Sequence, residues 1–475
     1  MQRPNILLIY TDQQRWDALG ANGNPEILTP NLDRLAAEGV NFDHYFVQNP
    51  VCMPSRISFL TGQYPSTLGI THMGVPVPDD APVLPRLLHN AGYVSANIGK
   101  LHFLPHANRD HRTVHPAYGF DQLEISDEPG VYEDAYRAWV RRTAPDQLPH
   151  LSVGLPPATA VWYETMGVRD PVTHPGQGGR FDFKGAVPFP GDESVTHSAF
   201  VAEQTMNFLR TQDGQRPFLC IAGFYSPHAP WVVPQRFLDL YDPSTFTLPA
   251  YPPEMEARRR DPSVADGTNF DDATRRSARH GYYAMVSEVD QYVGKILATL
   301  DEQGLSEKTI VVFTSDHGEW LGDFLRYGKG YPGEDAVSRV PLILRGPGLP
   351  HGGHENCHGL AEAVDVVPTL LELAGLPTPP HLQGRALTNM AAGADPGRDS
   401  VLMEFTGWKS LRSDAFRYII HADGRELLYA LDEPWGEARN VAPDPAYATT
   451  LADMRRRLLQ RMVAMEQPLT RTWPY

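Results

Sequence analysis

A chain of 475 residues exceeds the usual size of a single core, so one large domain with a smaller appendage is the natural expectation. Its 57 Asp and Glu outweigh 41 Lys and Arg to leave a net charge of −16, which argues against a nucleic-acid or anionic-membrane partner. An anionic substrate then needs a local cluster of cations set against that field.

Cys52, Cys220 and Cys357 are odd in number and widely spaced, which gives neither a disulfide framework nor zinc spacing and fits a reducing compartment. The opening apolar run is too short for a secretory core, and no stretch approaches the roughly 20 apolar residues of a membrane span. The expected location is cytoplasmic.

In chain order, "NILLIYTD" is an aliphatic run ending in Asp12, the pattern of a strand buried on both faces. "TPNLDRLAAEGV" predicts a helix with Thr29 as N-cap, Pro30 at its first position and Gly39 as its stop. "CMPSRISFLTGQYP" opens another helix, with Cys52 at or next to the N-cap. From about 103 to 197 the pattern weakens into Pro, Gly, His and aromatic residues, and reads as loop-rich, substrate-shaping excursions. "RPFLCIAGFYS" and "KTIVVFTSD" are two further buried-strand patterns, the second preceded by the amphipathic helix "YYAMVSEVDQYVGKILATLDEQG". This alternation predicts an α/β fold with a large, mostly parallel sheet sandwiched by helices and a catalytic crevice at the carboxyl ends of the strands. After "DVVPTLLELAGLP", four short strand patterns form an antiparallel meander, with Asp423-Gly424 as one hairpin turn, and "LADMRRRLLQRMVAM" closes as a helix. The division expected is a catalytic domain over 1–375 and a C-terminal α+β subdomain over 376–475.

Cys52 at a helix start meets unpaired N–H groups and the helix dipole, and Arg56 adds a fixed cation. The combination reads as an anion-binding corner with a reactive side chain, although an isolated cysteine there is more often structural. Asp12 and Asp316 end two of the strongest strand patterns, and His317 adds a nitrogen. Acids at neighbouring strand ends converge, so a divalent metal is expected.

The blocks "PNILLIYTDQQR", "CMPSRISFLTGQYP", "IGKLHF", "YSPHAPW", "TSDHGEWLGD" and "GKGYPGEDAVSRVPLILRGPG" occur in the order found in the formylglycine-dependent sulfatases of the alkaline phosphatase superfamily, which the chain resembles over nearly its whole length. That resemblance implies that Cys52 is oxidised by a separate formylglycine-generating enzyme to an aldehyde whose hydrate attacks a sulfate monoester. It also implies Asp12, Asp316 and His317 as metal ligands together with residue 52. Lys100 and Lys329 are implied to hold sulfate oxygens, His102 to act as base, His228 to stand beside the leaving group, and Arg56 to steady the diol. The expected partners are a small-molecule sulfate ester and the modifying enzyme, with self-association left open.

Two positions depart from many relatives: Asp12 is followed by Gln13 where an acid is frequent, and Asp316 by His317 where an asparagine is. The site therefore carries less carboxylate, so manganese stands beside calcium as the expected ion. Both departures resemble choline sulfatases and phosphonate monoester hydrolases. The latter, with their phosphodiesterase activity, are the alternative, but they replace the lysine and histidine matched here by Lys100 and His102. A catalytically inactive anion-binding relative is the third reading. Among further signals, His106, His111 and His115 read as loop histidines, Trp162, Tyr163 and Trp231 as either pocket lining or packing, and Cys220 and Cys357 have no assigned role.

Overall fold

The structure is a computed structural model that describes residues 3–105, 115–129, 134–151, 185–260, 270–352 and 356–466. His106, His111, Trp162 and Tyr163 lie outside the described residues.

Strand Asn5–Thr11 is buried along its whole length and occupies the middle of a seven-stranded sheet. It pairs in parallel with Phe218–Gly223 on one side and Thr309–Ser315 on the other. Val94–Gly99 extends the parallel run from Phe218–Gly223, and Gln122–Ile125 closes that edge. At the other edge Leu342–Arg345 runs antiparallel to Thr309–Ser315 and carries the short Val40–Asn41 strand. The sheet is thus mixed, with a five-stranded parallel centre. Alternation along the first strand assigns Ile6, Leu8 and Tyr10 to one core and Leu7 and Ile9 to the other. Helices Cys52–Thr61, Leu84–His89 and Val366–Leu373 cover the first face, while Pro30–Glu38, His197–Arg210 and Asp272–Glu302 cover the second.

Register places the site. Thr11 pairs with Ser315, Tyr10 with Gly223, and Gly99 with Gly223, so these strands end almost level. Asp12, Asp316 and Lys100 leave the sheet on one edge as a result. Gly99 has a φ of 90°, and a Cβ there would collide with the Gly223 carbonyl, so only glycine lets the two strands close up where Lys100 turns over the edge.

Helix Pro30–Glu38 has Thr29 as N-cap, Pro30 at its first position and Gly39 as C-cap, as predicted. The 103–197 stretch holds more regular structure than expected: the edge strand Gln122–Ile125 and helix Ala135–Thr143, which Asp134 caps by accepting from the Arg137 N–H. Tyr136, Trp139 and Val140 of that helix join the second core.

Four strands, Val401–Phe405, Trp408–Arg412, Phe416–His421 and Glu426–Ala430, form the C-terminal meander in sequential order. Gly424, at a φ of 85°, makes the predicted turn. Leu451, Met454 and Leu458 of helix Ala448–Met465 pack on Leu402, Leu411, Tyr418 and Leu428 from one face. The other face lies against residues 331–335: Tyr331 meets the Trp408 ring edge-on at 5.6 Å, and Arg417 donates to the Gly333 carbonyl at 2.7 Å. Arg417 is buried between Asp335 and Glu437. Among the described residues no helix is long and apolar enough to cross a membrane.

Candidate active site

Cys52 is the first residue of helix Cys52–Thr61, with Val51 as an extended N-cap. The Ser55 hydroxyl donates to the Asp316 carbonyl at 2.5 Å and fixes that helix start to the end of strand Thr309–Ser315. One turn on, Arg56 is buried above the Tyr10 ring. Its Nε donates to Asp316 Oδ2 at 2.7 Å, and its Nη1 and Nη2 donate to the carbonyls of Lys100 at 3.1 Å and Thr11 at 3.3 Å. A planar, permanently charged fork is the side chain that can hold three strand ends at once. Arg56 ties the centre together rather than standing free beside residue 52.

Around Cys52 Sγ lie His317 Nε2 at 3.2 Å, Asp12 Oδ1 at 3.8 Å and Lys329 Nζ at 2.6 Å. One donor atom from each of Asp12, Cys52, Asp316 and His317 falls within 4.8 Å of all the others. His317 Nδ1 lies 2.8 Å from the Gly318 carbonyl, which accepts a hydrogen bond from a proton held on Nδ1 and leaves the Nε2 lone pair facing the cluster. Two carboxylates, an imidazole lone pair and residue 52 fit one divalent ion bound through mixed oxygen and nitrogen.

Lys329 Nζ also lies 2.9 Å from His228 Nε2, while His228 Nδ1 sits 2.5 Å from the Ala229 carbonyl. The carbonyl requires a proton on Nδ1, so Nε2 accepts from Lys329. Lys100 Nζ is fully buried between Asp12 Oδ2 at 2.7 Å and Glu128 Oε1 at 3.1 Å. His102 is buried with a φ of 58°, its backbone held by Asp127 Oδ1, which accepts from the N–H groups of Leu101 and His102. Eight of the nine residues singled out in the sequence, Asp12, Cys52, Arg56, Lys100, His228, Asp316, His317 and Lys329, are joined by these contacts, and His102 follows Lys100 by two positions.

Burial dominates the electrostatics. It pushes the Cys52 thiol up to about 12, with Asp12 adding to it against Lys329 and Lys100. The helix N-terminus therefore does not yield a reactive thiolate: desolvation outweighs it. Burial lowers His228 to about 3, helped by Lys329, and lowers His317 to about 4. Burial raises Asp12, yet Lys100, His228, Lys329 and His317 together hold it well below the usual carboxylate range.

Two further residues, Glu128 and Glu319, shape the site, and Gln13 does more there than replace an acid. Glu128 neutralises Lys100 from a loop that no periodicity marks. Gln13, at a φ of 69°, donates its side-chain amide to Glu319, and its Oε1 is buried without a hydrogen-bond donor. Glu319 also accepts from the backbone N–H groups of Leu321 at 3.1 Å and Gly328. The sequence signal for Glu319 is an acid two residues after His317. Trp231, by contrast, is core: its ring meets Tyr282 edge-on at 6.4 Å. His115 bonds the Pro116 carbonyl, Cys220 is inside its strand, and Cys357 is half-buried with Sγ 3.6 Å from the Met390 carbonyl.

The family model for sulfatases matches residues 4–376. The chain belongs to the sulfatase family. A second match, to the C-terminal region of N-sulphoglucosamine sulphohydrolase, covers residues 322–464 and so includes the meander. Relatives include an arylsulfatase of Clostridium perfringens, 27% identical over 98% of this chain and 96% of its own length. A choline-sulfatase of Rhizobium meliloti is 29% identical over 95% of this chain and 86% of its own. Among solved structures, the phosphonate monoester hydrolase of Agrobacterium radiobacter aligns over 98% of this chain and 96% of its own, with a TM-score of 0.80 at 27% identity. The protein is a hydrolase-type enzyme of the alkaline phosphatase superfamily.

Proposed function

We propose that this sulfatase hydrolyses a sulfate monoester of a small alcohol, with residue 52 as nucleophile after its oxidation to formylglycine. The observation that carries this reading is the meeting of Cys52 with the donors of Asp12, Asp316 and His317 and with Lys329. A buried cysteine whose thiol is held up at about 12 is a poor nucleophile as it stands, and its position makes sense as a precursor. Once the formylglycine aldehyde has added water, the side chain supplies two hydroxyls, one to displace the alcohol and one whose deprotonation releases sulfate, which a single hydroxyl cannot do.

Asp12, Asp316, His317 and residue 52 are the residues that hold the metal. Arg56, Lys100 and Lys329 are balanced by Asp12, Asp316 and Glu128, so the bound divalent ion supplies the net positive charge and Lewis acidity of the site. Lys329 exchanges its contact with residue 52 for sulfate oxygens, and Lys100 steadies Asp12 and the oxyanion from the far side. His228 Nε2 is an acceptor while Lys329 occupies it. Drawing Lys329 onto the sulfate frees that nitrogen, and the added negative charge favours its protonation, so His228 can give a proton to the leaving oxygen. His102, held by Asp127 through its backbone, takes the proton of the second hydroxyl.

A second reading is phosphonate monoester or phosphodiester hydrolysis, favoured by the fold likeness to the Agrobacterium radiobacter enzyme and by Gln13 and His317, the two positions at which the sequence resembles that branch. Peptide mass spectrometry across residue 52, with turnover of 4-nitrophenyl sulfate and a phenylphosphonate monoester, separates the readings. Aldehyde with faster sulfate turnover is expected; aldehyde with faster phosphonate turnover moves the assignment to the second reading. An unmodified thiol without either activity, in protein from its native host, removes both.

A further inference from the structure

Away from the Cys52 centre, the segment "HGGHENCH" over 351–358 is a histidine-rich tract that the hydrolytic chemistry does not use. Its last residues are pinned to the chain after strand Val40–Asn41. Phe42 and Cys357 form a parallel bridge, Cys357 donates to the Asn41 carbonyl at 2.8 Å, and Asp43 donates to the Cys357 carbonyl at 3.3 Å. That pairing sets Asp43 beside His358, with His44 next in sequence. Both imidazoles turn the same nitrogen inward: His44 Nδ1 is 2.8 Å from Asp43 Oδ1, and His358 Nδ1 is 2.7 Å from Asp43 Oδ2. One donor atom of each falls within 4.8 Å of the other two.

We propose that Asp43, His44 and His358 form a second divalent-metal site, for a borderline ion of the zinc class, sharing no residue with the Cys52 centre. Two imidazole nitrogens and one carboxylate are a donor set that suits zinc, nickel or copper better than calcium or magnesium. Neutral imidazoles need only move their proton from Nδ1 to Nε2 to offer both lone pairs, so binding requires no net change in the protein's charge. The paired backbone has already fixed the ligand-bearing segments, which removes much of the ordering cost of closing a site between residues far apart in sequence. The His358 side chain is 64% exposed, which leaves an entry path and room for water as a further ligand.

A competing arrangement is two imidazoles simply hydrogen-bonded to one acid, and Arg339 weighs on that side. Its Nη2 lies 3.4 Å from His44 Nδ1. The Arg339 guanidinium is otherwise engaged, with Nε donating to the Asp43 carbonyl at 2.5 Å and its plane 3.6 Å from the centre of the Trp16 ring. It therefore braces the Asp43 backbone without capping the carboxylate.

The test is a count of metal. Chelator-stripped protein is titrated with Zn²⁺ in a calorimeter and the retained zinc is measured after desalting, for the wild type, His358→Ala and Asp316→Ala. Two equivalents are expected in the wild type and one in each variant. One wild-type equivalent that disappears with His358→Ala supports the site equally and shows instead that zinc does not occupy the Cys52 centre. Zinc binding unchanged by His358→Ala, or a single equivalent lost only with Asp316→Ala, overturns the proposal. His358→Gln, which keeps a polar group at this exposed position, is the second variant, and both are checked for an unchanged unfolding midpoint.

Discussion

Glu319 gathers three donors into one buried carboxylate: the Gln13 side chain beside Asp12, the N–H of Leu321, and the N–H of Gly328 beside Lys329. It thereby links the end of the first strand to the loop that carries Lys329. Burial raises the Glu319 carboxyl to about 7; in Glu319→Gln one acceptor oxygen becomes a donor facing the Gln13 amide, and a buried polar group left without its partner costs about 1–3 kcal/mol. The variant is expected to lose roughly 10- to 100-fold in kcat/KM, with weaker Mn²⁺ retention, while staying folded. Wild-type kinetics with wild-type metal affinity would sink that role. Cys52→Ala is expected to abolish turnover and leave the unfolding transition in place, since it alters a polar site rather than core packing; residual sulfatase rates near wild type would contradict the proposed nucleophile. Residues such as Asp12 and Asp316 were legible in the sequence because a buried strand announces its own end. Glu128 was not, because its position depends on Asp127 catching the Leu101 and His102 N–H groups, a tertiary event without a local pattern.

Helices Asp272–Glu302 and His197–Arg210 are joined by a polar contact inside an apolar seam. Glu288 accepts from Thr196, the N-cap of the second helix, at 2.8 Å and from Ser198 at 3.2 Å. Burial raises its carboxyl from 4.5 to about 7 despite those donors. A raised folded-state value means that the native protein binds the extra proton, so the associated stability is full below about 4.5 and is lost as pH rises through about 7. The loss is on the order of 3 kcal/mol. Glu288→Gln cannot ionise and is expected to be more stable than wild type at pH 8.5, with the advantage shrinking by pH 5. Urea unfolding at the two pH values checks it, and an advantage independent of pH would assign the effect to something other than ionisation. Long elements such as Asp272–Glu302 are read from periodicity without difficulty. The nine-residue helix Ala135–Thr143 is not legible because its length gives only about two and a half turns of pattern inside a stretch dense in Pro and Gly.

At the scale of the molecule, the C-terminal meander is a buttress for the active-site loop. Arg417 joins Asp335, Glu437 and the Gly333 carbonyl, four residues beyond Lys329. Arg417→Ala leaves Glu437 without its cation, while Asp335 keeps Arg412 at 3.1 Å; about 3–5 kcal/mol is the usual cost of breaking a buried pair. The expected result is a lowered unfolding midpoint together with a raised KM for the sulfate ester, because the Lys329 loop loses its support. A drop in stability with KM unchanged would show that the loop holds its shape alone. The fold class and both sheets were readable from strand alternation and turn residues; this junction was not, since it joins side chains about 80 positions apart.

Cys52 is 1% exposed in the finished fold, a depth that another enzyme's active site cannot reach. Its covering residue His317 lies 265 positions downstream. At about 5–20 residues per second, a ribosome needs roughly 13–53 s to synthesise that interval. Throughout it the segment around Cys52 lacks the end of strand Thr309–Ser315, to which Ser55 and Arg56 bond in the finished fold. For the proposed oxidation, the burial of one side chain thus becomes a clock: the modifying enzyme competes with translation and folding, and growth conditions that lengthen the interval should raise the fraction of active molecules without any change in the sequence.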